Sequence, residues 1–363
     1  MTTNLITGGA GFIGSNLAHR LLSAGERVLL LDNLSRPNVA HNVAWLRECF
    51  GTRAELQVAD ILDRDIVREC VREVDHVFHF AAQVAVTSSL VEPLHDFEVN
   101  ARGTLNVLEA LRARREPPSL FFTSTNKVYG DLSGLSLSVT EQGYQPLAAE
   151  VRQYGVQEQA PLDFHSPYGC SKGCADQYVR DYARSFGIRS VVFRMSCIYG
   201  PRQFGTEDQG WVAHFVLRAL RGEPVVVYGD GQQTRDLLFV SDLVDAFLAA
   251  RERLDTCAGH AFNIGGGPQN CASVLSVLQS TRKLTAWRSP LRFEDWRTGD
   301  QRYYVSDTRK FTRFTGWSPR VPVTAGLLRL HEWLSSLVRG RVGGPEVARR
   351  GDASEAAGTG ARP

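Results

Sequence analysis

TGGAGFIGSNL, residues 7 to 17, leads from a short apolar strand into a helix through four glycines. Gly8, Gly11 and Gly14 recur at every third residue, and Gly9 completes a Gly-x-Gly-x-x-Gly pattern. Glycines allow a tight turn and let the backbone approach a pyrophosphate, while the helix N-terminus offers N–H groups and a positive dipole end. A glycine pattern alone is weak, but here a strand precedes it and a helix follows. The stretch predicts a dinucleotide-binding loop.

The chain before residue 200 alternates apolar strands with helices. Strands are predicted at residues 4–7, 27–32, 54–60, 76–82, 119–125 and 190–195, and helices at 14–24 and 100–114. Alternating strands and helices form a parallel sheet that is covered on both faces. We therefore expect an α/β fold built on a doubly wound parallel sheet.

The second predicted strand ends in Asp32, where a carboxylate hydrogen-bonds an adenosine ribose and repels a 2′-phosphate. This favours NAD over NADP, although Arg36 nearby offers a cation that an extra phosphate would use. Asp60 ends the third strand, where it either meets the adenine or is simply an exposed loop acid.

The pattern changes after about residue 200, with a loop at 200–210, a helix at 211–222, a strand and turn at 224–231, and then short irregular segments. We expect residues 1–199 to form most of an NAD-binding domain. Residues 200–338 are expected to form a smaller C-terminal substrate-binding domain, with some chain crossing back. The Gly-, Ala-, Arg- and Glu-rich segment 339–363 lacks a periodic apolar face and predicts a disordered tail.

Composition limits the classes of partner. The 363 residues carry a net charge of +2, too small to predict nucleic-acid or membrane-surface binding. No apolar run approaches the ~20 residues of a membrane span, and the N-terminus lacks the basic region of a signal peptide. Seven cysteines without a Cys-x-x-Cys pair indicate free thiols in a reducing, cytoplasmic setting and predict no metal site.

Tyr168 and Lys172 lie four residues apart, on one face of a helix if this segment is helical. Tyrosine is a poor base at neutral pH, but a neighbouring ammonium and a positively charged nicotinamide both stabilise the phenolate. The pair then suits removal of a hydroxyl proton while hydride leaves the same carbon. Tyr-x-x-x-Lys alone is common on surface helices. Together with the predicted dinucleotide-binding loop upstream, it becomes a specific signal.

A polar row, Thr123 to Lys127, follows the apolar strand residues 119–122. Ligands of parallel sheets bind beyond the carboxyl ends of the strands, which places this row at the expected site. Thr125 is our candidate for a hydroxyl that shares a proton with Tyr168 and the substrate. The alternative for this row is a strand-end cap made by Thr or Ser.

The glycine loop, STNKVYG (124–130), the Tyr168–Lys172 pair and FNIGGG (262–267) together resemble the extended short-chain dehydrogenase/reductase family, mostly nucleotide-sugar epimerases and dehydratases. The resemblance covers roughly residues 3 to 335. It implies a Rossmann domain, tightly bound NAD, a homo-oligomer and catalysis by Thr125, Tyr168 and Lys172. The NAD-site residues that it implies are Gly8, Gly11, Phe12, Ile13, Gly14, Asp32, Asn33, Ser35, Arg36, Asp60, Ile61, Ala81, Gln83, Asn100 and Lys172.

Longer stretches, among them FHFAAQVAVTSS (78–89), RQFGTEDQGWV (202–212) and DQRYYVSD (300–307), resemble the branch that epimerises carbon 2 of CDP-hexoses. Related 4,6-dehydratases carry Asp-Glu where this chain has Asn126-Lys127. An amide and an ammonium cannot replace that acid pair in expelling water. We expect Asn126 to contact substrate hydroxyls, and leave Lys127 as either a substrate contact or a structural cation.

The diphosphate of such a substrate needs cations. Arg235 and Arg297 fall where related epimerases place pyrophosphate-binding arginines, and a guanidinium fork suits two phosphate oxygens. The alternative for each is a salt-bridged surface arginine. Arg202 and Gln203 lie in a loop that could close over the sugar or the base. A UDP-sugar 4-epimerase, a reductase that releases NADH and a noncatalytic NAD-binding protein stay open as alternatives.

Overall fold

The computed structural model describes residues 1–340, which form fifteen β-strands and fourteen α-helices. The strands are β1 (Thr3–Thr7), β2 (Arg27–Asp32), β3 (Ala54–Val58), β4 (His76–His79), β5 (Ser119–Thr125), β6 (Leu137–Thr140), β7 (Gly143–Pro146), β8 (Ser190–Met195), β9 (Cys197–Tyr199), β10 (Val225–Tyr228), β11 (Thr234–Phe239), β12 (Ala261–Ile264), β13 (Cys271–Ser273), β14 (Leu291–Glu294) and β15 (Tyr303–Tyr304). The helices are α1 (Phe12–Ser23), α2 (Val39–Phe50), α3 (Arg64–Val71), α4 (Val86–Val91), α5 (Pro93–Phe97), α6 (Gly103–Arg112), α7 (Ala149–Tyr154), α8 (Ser166–Phe186), α9 (Trp211–Leu220), α10 (Val240–Glu252), α11 (Leu254–Cys257), α12 (Val274–Thr285), α13 (Arg309–Thr315) and α14 (Val323–Val338). The predicted tail, except for its first two residues, lies outside the described residues.

Seven strands form one parallel sheet in the order β3-β2-β1-β4-β5-β8-β12. The chain builds outward from β1 to β3 and then returns to add β4 on the other side of β1. Ligands of such sheets bind where the strand order reverses, beyond the carboxyl ends of β1 and β4. The predicted Rossmann-type sheet is confirmed.

Both faces of this sheet are buried, which explains why its strands are almost continuously apolar. Ile6, Leu30 and Phe121 point into a core that they share with apolar residues of α1 and α10. Leu5 and Phe122 point to the opposite face, where α3, α6 and α8 supply the partner side chains. Because helices cover both faces of the sheet, only residues at the ends of its strands can reach the site.

The expectation of short irregular segments after residue 231 was wrong. Helices α10, α12 and α14 are regular, and β12 pairs in parallel with β8 at the edge of the main sheet. Leu243 and Phe247 of α10 repeat at helical spacing and are fully buried against that sheet. This periodicity was visible in the sequence and was missed. The boundary near residue 200 stays a prediction.

No helix among residues 1–340 combines the length and the apolarity needed to cross a bilayer.

Candidate active site

The glycine loop leaves no room for a side chain where Gly8 faces the two residues that follow β4. Gly8 has a φ of +68°, and a Cβ there would lie 2.7 Å from the Ala81 amide nitrogen. Gly11 precedes α1, whose first turn has no side-chain cap. Backbone N–H groups that no side chain covers, beside an uncapped helix N-terminus, can bind a dinucleotide pyrophosphate. These residues therefore fit NAD.

Asp32 lies at the end of β2 with both carboxylate oxygens on backbone amides, Oδ2 on Ala10 at 3.0 Å and Oδ1 on Leu34 at 2.8 Å. Burial raises its pKa, and these amides with the charge of Arg36 act against that rise. Asp60 accepts a hydrogen bond from Asn33 Nδ2 at 2.8 Å. The fixed carboxylate at Asp32 is placed to receive a ribose hydroxyl.

One cleft of about 900 Å³ extends from the glycine loop across the strand ends to the C-terminal part of the chain. All the predicted site residues except Asn100 line it. Asn100 is 1% exposed and lies behind the lining, where its Oδ1 accepts a hydrogen bond from the Gln83 amide at 2.9 Å. It therefore supports the cofactor wall from behind, and its direct contact with NAD stays a prediction.

Tyr168 and Lys172 lie in the first turns of α8, as their spacing predicts. The Lys172 Nζ lies 4.3 Å from the centre of the Phe122 ring, and the Thr125 hydroxyl donates to Asn126 Oδ1 at 3.3 Å. Burial raises the pKa of Tyr168 to about 12, against the lowering effects of Thr125 and Arg36. Burial also lowers the pKa of Lys172 to about 7, against the opposing charges of Asp176 and Asp96.

Such a tyrosine ionises near neutral pH only if more positive charge reaches it, which a bound oxidised nicotinamide would supply. The catalytic roles of Thr125, Tyr168 and Lys172 stay predictions, but the structure brings all three to one wall of the cleft.

Asn126 and Lys127 are both held by a distant loop. Asn126 Nδ2 donates to Gln301 Oε1 at 3.1 Å, while Lys127 Nζ donates to the Gly299 carbonyl at 3.0 Å and lies 3.4 Å from Asp300. Burial lowers the pKa of Lys127, and the Asp300 charge opposes that effect. These contacts favour the structural-cation interpretation of Lys127, although it also lines the cleft.

Both predicted phosphate-binding arginines line the cleft and are held by acids. Arg235 donates to Asp300 Oδ1 at 2.8 Å and to the Gln301 carbonyl. Arg297 stacks on the Tyr228 ring, with its guanidinium carbon 3.8 Å from the ring centre, and lies 3.3 Å from a carboxylate oxygen of Glu207. A diphosphate would therefore compete with carboxylates for these cations.

Arg202 and Gln203 both line the cleft, and each also contacts the protein around it. The Arg202 guanidinium stacks on Trp45 of α2 at 3.8 Å from the ring centre, so its charged end packs the loop onto the Rossmann domain. Gln203 is 7% exposed and donates to the Ile198 carbonyl at 3.2 Å. Substrate contact by either residue stays a prediction, and the packing on Trp45 weakens the case for Arg202.

Sequence reasoning missed several polar residues behind the site. Asp96, Ser171 and Gln301 are each 2% exposed or less. Asp96 precedes Asn100 by one helical turn, and Ser171 lies between Tyr168 and Lys172, so their spacing was a usable signal. Gln301 contacts a residue 175 positions away, which no local pattern could reveal.

A group of potential metal ligands was also missed. Asp131, Asp163 and His165 place their ligand atoms within 4.8 Å of one another near the start of α8. His165 Nε2 lies 3.1 Å from Asp163 Oδ2, an ordinary ion-pair distance on a partly exposed surface.

Comparison with known proteins agrees with this geometry. Residues 4–265 match the NAD dependent epimerase/dehydratase family. The chain is 41% identical to CDP-paratose 2-epimerase of Salmonella typhi over 92% of this chain and 99% of that protein. It is 30% identical to a putative UDP-glucose 4-epimerase of Methanocaldococcus jannaschii, over 92% of this chain and 98% of that protein.

Solved structures are similar over the same span. UDP-glucose 4-epimerase of Thermotoga maritima with UDP-glucose is 30% identical, with a TM-score of 0.80 over 93% of this chain and all of that one. UDP-glucose 4-epimerase of Thermus thermophilus with NAD is 30% identical, with a TM-score of 0.77 over 92% of this chain and 99% of that one. This chain belongs to the NAD dependent epimerase/dehydratase family and is an NAD-dependent epimerase with a Rossmann fold.

Proposed function

We propose that this protein inverts carbon 2 of a CDP-hexose such as CDP-paratose, by transient oxidation to a bound keto sugar. The observation that carries the proposal is that one continuous cleft is lined by the glycine loop, by Tyr168, and by Arg235 and Arg297. The choice of CDP and carbon 2 rests on the 41% identity to CDP-paratose 2-epimerase, against 30% to a putative UDP-glucose 4-epimerase.

In this mechanism the Tyr168 phenolate removes the proton from the sugar hydroxyl, and Thr125, which lowers the pKa of this phenol, shares that proton. The glycine loop and Asp32 would hold NAD, which would supply the acceptor for the hydride from the same carbon. Lys172 stabilises the phenolate by its charge. Arg235 and Arg297 hold the diphosphate while the keto sugar rotates, and Tyr168 returns the proton after the opposite face has turned inward.

The pair Asn126 and Lys127 argues against dehydration. The Asn126 amide has no titratable proton, and Lys127 donates to Gly299 and Asp300. Epimerisation needs one acid–base group, whereas expelling water needs two more. The strand end thus suits oxidation and re-reduction of a single carbon.

Replacing Asn126 with Ala is expected to raise the KM for the nucleotide sugar roughly 3- to 10-fold, the value of one lost hydrogen bond. Lys127→Ala is the matched comparison, because the ammonium contacts Asp300 and Gly299. We expect it to lower the free energy of unfolding by about 1–2 kcal/mol and to change the KM less. Steady-state kinetics and urea unfolding of both variants test this. An unchanged KM for Asn126→Ala contradicts the substrate contact.

A UDP-sugar 4-epimerase is the second candidate function. The same Thr125, Tyr168 and Lys172 would serve it, with the sugar seated differently. Solved structures of similar proteins contain UDP-glucose or UDP-glucuronic acid, which supports this second candidate. A reductase is disfavoured by the family match and would differ by consuming its cofactor.

The test is to incubate the purified protein, without added cofactor, with a CDP-hexose and with the matching UDP-hexoses, and to follow the ring protons by NMR. We expect inversion at carbon 2 of the CDP-hexose and no net oxidation. Inversion at carbon 4 of a UDP-hexose, with the CDP-hexose unchanged, would assign the second candidate instead.

A homo-oligomer is also expected. Support comes from large apolar side chains left exposed on α4 and α5: Val91 is 80% exposed, Leu94 81% and Phe97 50%. Such a concentration of apolar side chains is typical of surfaces that another protein covers. Sedimentation equilibrium of the holoenzyme would measure the assembly.

A further inference from the structure

We propose that Asp96 is a positioning residue for the Tyr168–Lys172 pair, which it fixes through Ser171 and Asn100 while placing a negative charge behind both. The inference rests on the proposed function only in assigning Tyr168 and Lys172 to catalysis. Asp96 lies on α5, outside the lining of the cleft, and has no exposed surface.

Asp96, Ser171 and Asn100 are all buried and form a closed ring of three hydrogen bonds. Its Oδ2 accepts from the Ser171 hydroxyl at 2.5 Å, and its Oδ1 accepts from Asn100 Nδ2 at 3.2 Å. Asn100 Nδ2 also donates to Ser171 Oγ at 3.0 Å. Because each member bonds both others, moving one of them breaks two bonds, and the ring fixes α8 at Ser171.

The ring connects the two walls of the cleft. On one side, Ser171 lies between Tyr168 and Lys172 on α8. On the other side, Asn100 Oδ1 accepts from the backbone N–H of Gln83 at 2.9 Å. Gln83 lines the part of the cleft predicted to hold the cofactor. Asn100 itself lies in a π-helical turn, Glu98–Arg102, a deviation that is frequent at functional sites. Asp96 thus sits where the cofactor wall and the catalytic helix are joined.

The same network continues into the Rossmann core. The Asn100 carbonyl accepts from Thr104 Oγ1 at 2.6 Å, and Thr104 Oγ1 lies 3.0 Å from His79 Nε2. His79 Nδ1 lies 2.6 Å from Thr7 Oγ1, and Thr7 accepts from the amides of Phe80 and Ala81 beside the glycine loop. A displacement at Asp96 would therefore reach the cofactor loop as well as α8.

The charge of Asp96 acts on both catalytic side chains. Burial raises the pKa of Asp96, and Ser171, Lys172 and His95 oppose that rise. In return, Asp96 raises the pKa of Tyr168 and of Lys172. The other charged groups that act on the pair are Asp176, which acts on Lys172, and Arg36, which acts on Tyr168. Neutral groups could also bind Ser171 and Asn100, so the buried charge is a stability cost that packing alone does not require.

Asp96→Asn keeps the shape and removes the charge. Loss of a neighbouring negative charge lowers the pKa of a phenol and of an ammonium alike, so both limbs of the kcat–pH profile should move to lower pH. We expect a shift of roughly 0.5–1 pH unit, with a KM within about twofold of the wild type.

The direct test is a spectroscopic titration of tyrosinate in the NAD-loaded protein without sugar. Each variant is compared with its own Tyr168→Phe counterpart, so that the difference reports Tyr168 alone. Asp181→Asn is the matched control, because Asp181 lies on α8 and is exposed. We expect the Tyr168 midpoint to fall in Asp96→Asn and to stay at the wild-type value in Asp181→Asn.

An Asp96→Asn midpoint equal to that of the wild type would overturn the inference, whatever the variant does to thermal stability. If Asp96→Asn does not fold, Ser171→Ala takes its place: a kcat lowered roughly 3-fold or more at unchanged KM supports the inference, and an unchanged kcat overturns it. The titration needs no substrate. If the wild-type protein is inactive on CDP-hexoses, the proposed function is contradicted. The tyrosinate titration would still test the role of Asp96.

Discussion

Tyr168→Phe is expected to lower kcat by about 10²–10⁴-fold, the usual contribution of a positioned acid–base group. The ring is kept and only the hydroxyl is lost, so the cleft and the cofactor site should remain intact. Removing the hydroxyl removes the group that we propose takes the proton from the sugar. The measurement is steady-state epimerisation together with the NAD content of the purified protein.

Tyr178→Phe is the matched control. Tyr178 lies on the same helix and is 43% exposed, so its hydroxyl is remote from the buried site. We expect it to keep wild-type kcat. A Tyr168→Phe variant that retains more than about a tenth of wild-type kcat would show that another group carries the proton.

Arg194→Met is expected to lower the free energy of unfolding by about 3–5 kcal/mol. Arg194 on β8 makes two hydrogen bonds with Asp176 of α8, at 2.9 and 3.0 Å, and the two side chains are 2% and 0% exposed. It also donates to the Tyr129 hydroxyl at 3.0 Å. Removing the guanidinium leaves an uncompensated carboxylate in the interior, one helical turn from Lys172. Urea unfolding of the NAD-loaded protein measures the loss.

Arg72→Met gives the comparison at the surface. Arg72 and Glu69 lie 2.9 Å apart, but their side chains are 64% and 63% exposed. Such a pair contributes about 0–1 kcal/mol, so this variant should unfold almost like the wild type. Equal losses in the two variants would mean that burial does not set the value of the Asp176–Arg194 pair.

The parts of the fold that the sequence predicts well are those that local patterns encode. Six of the seven strands of the main sheet were found at or near their observed bounds, because each is a short apolar run beside a turn. The glycine loop was found because Gly8 needs a positive φ and lies against Ala81. Tyr168 and Lys172 were found because four-residue spacing places them on one face of α8.

The parts that were missed depend on contacts between distant positions. The strand β12 joins the sheet only because β8 offers an open edge, and its four residues carry no such information. Asp300 matters because two cations from different segments, Lys127 and Arg235, meet at it. The carboxylates of Glu207 and Asp208, which contact Arg297, likewise come from a loop about ninety positions earlier. Tertiary contacts of this kind have no local signature.

NMR of a CDP-hexose deuterated at carbon 2 shows whether the hydride returns to the carbon that it left. The purified protein is incubated with this sugar in ordinary water without added cofactor. We expect a product inverted at carbon 2 that keeps its deuterium there, because the same hydride is returned to carbon 2. Inversion with deuterium lost to water would show that carbon 2 exchanges its hydrogen as a proton, and would contradict the mechanism.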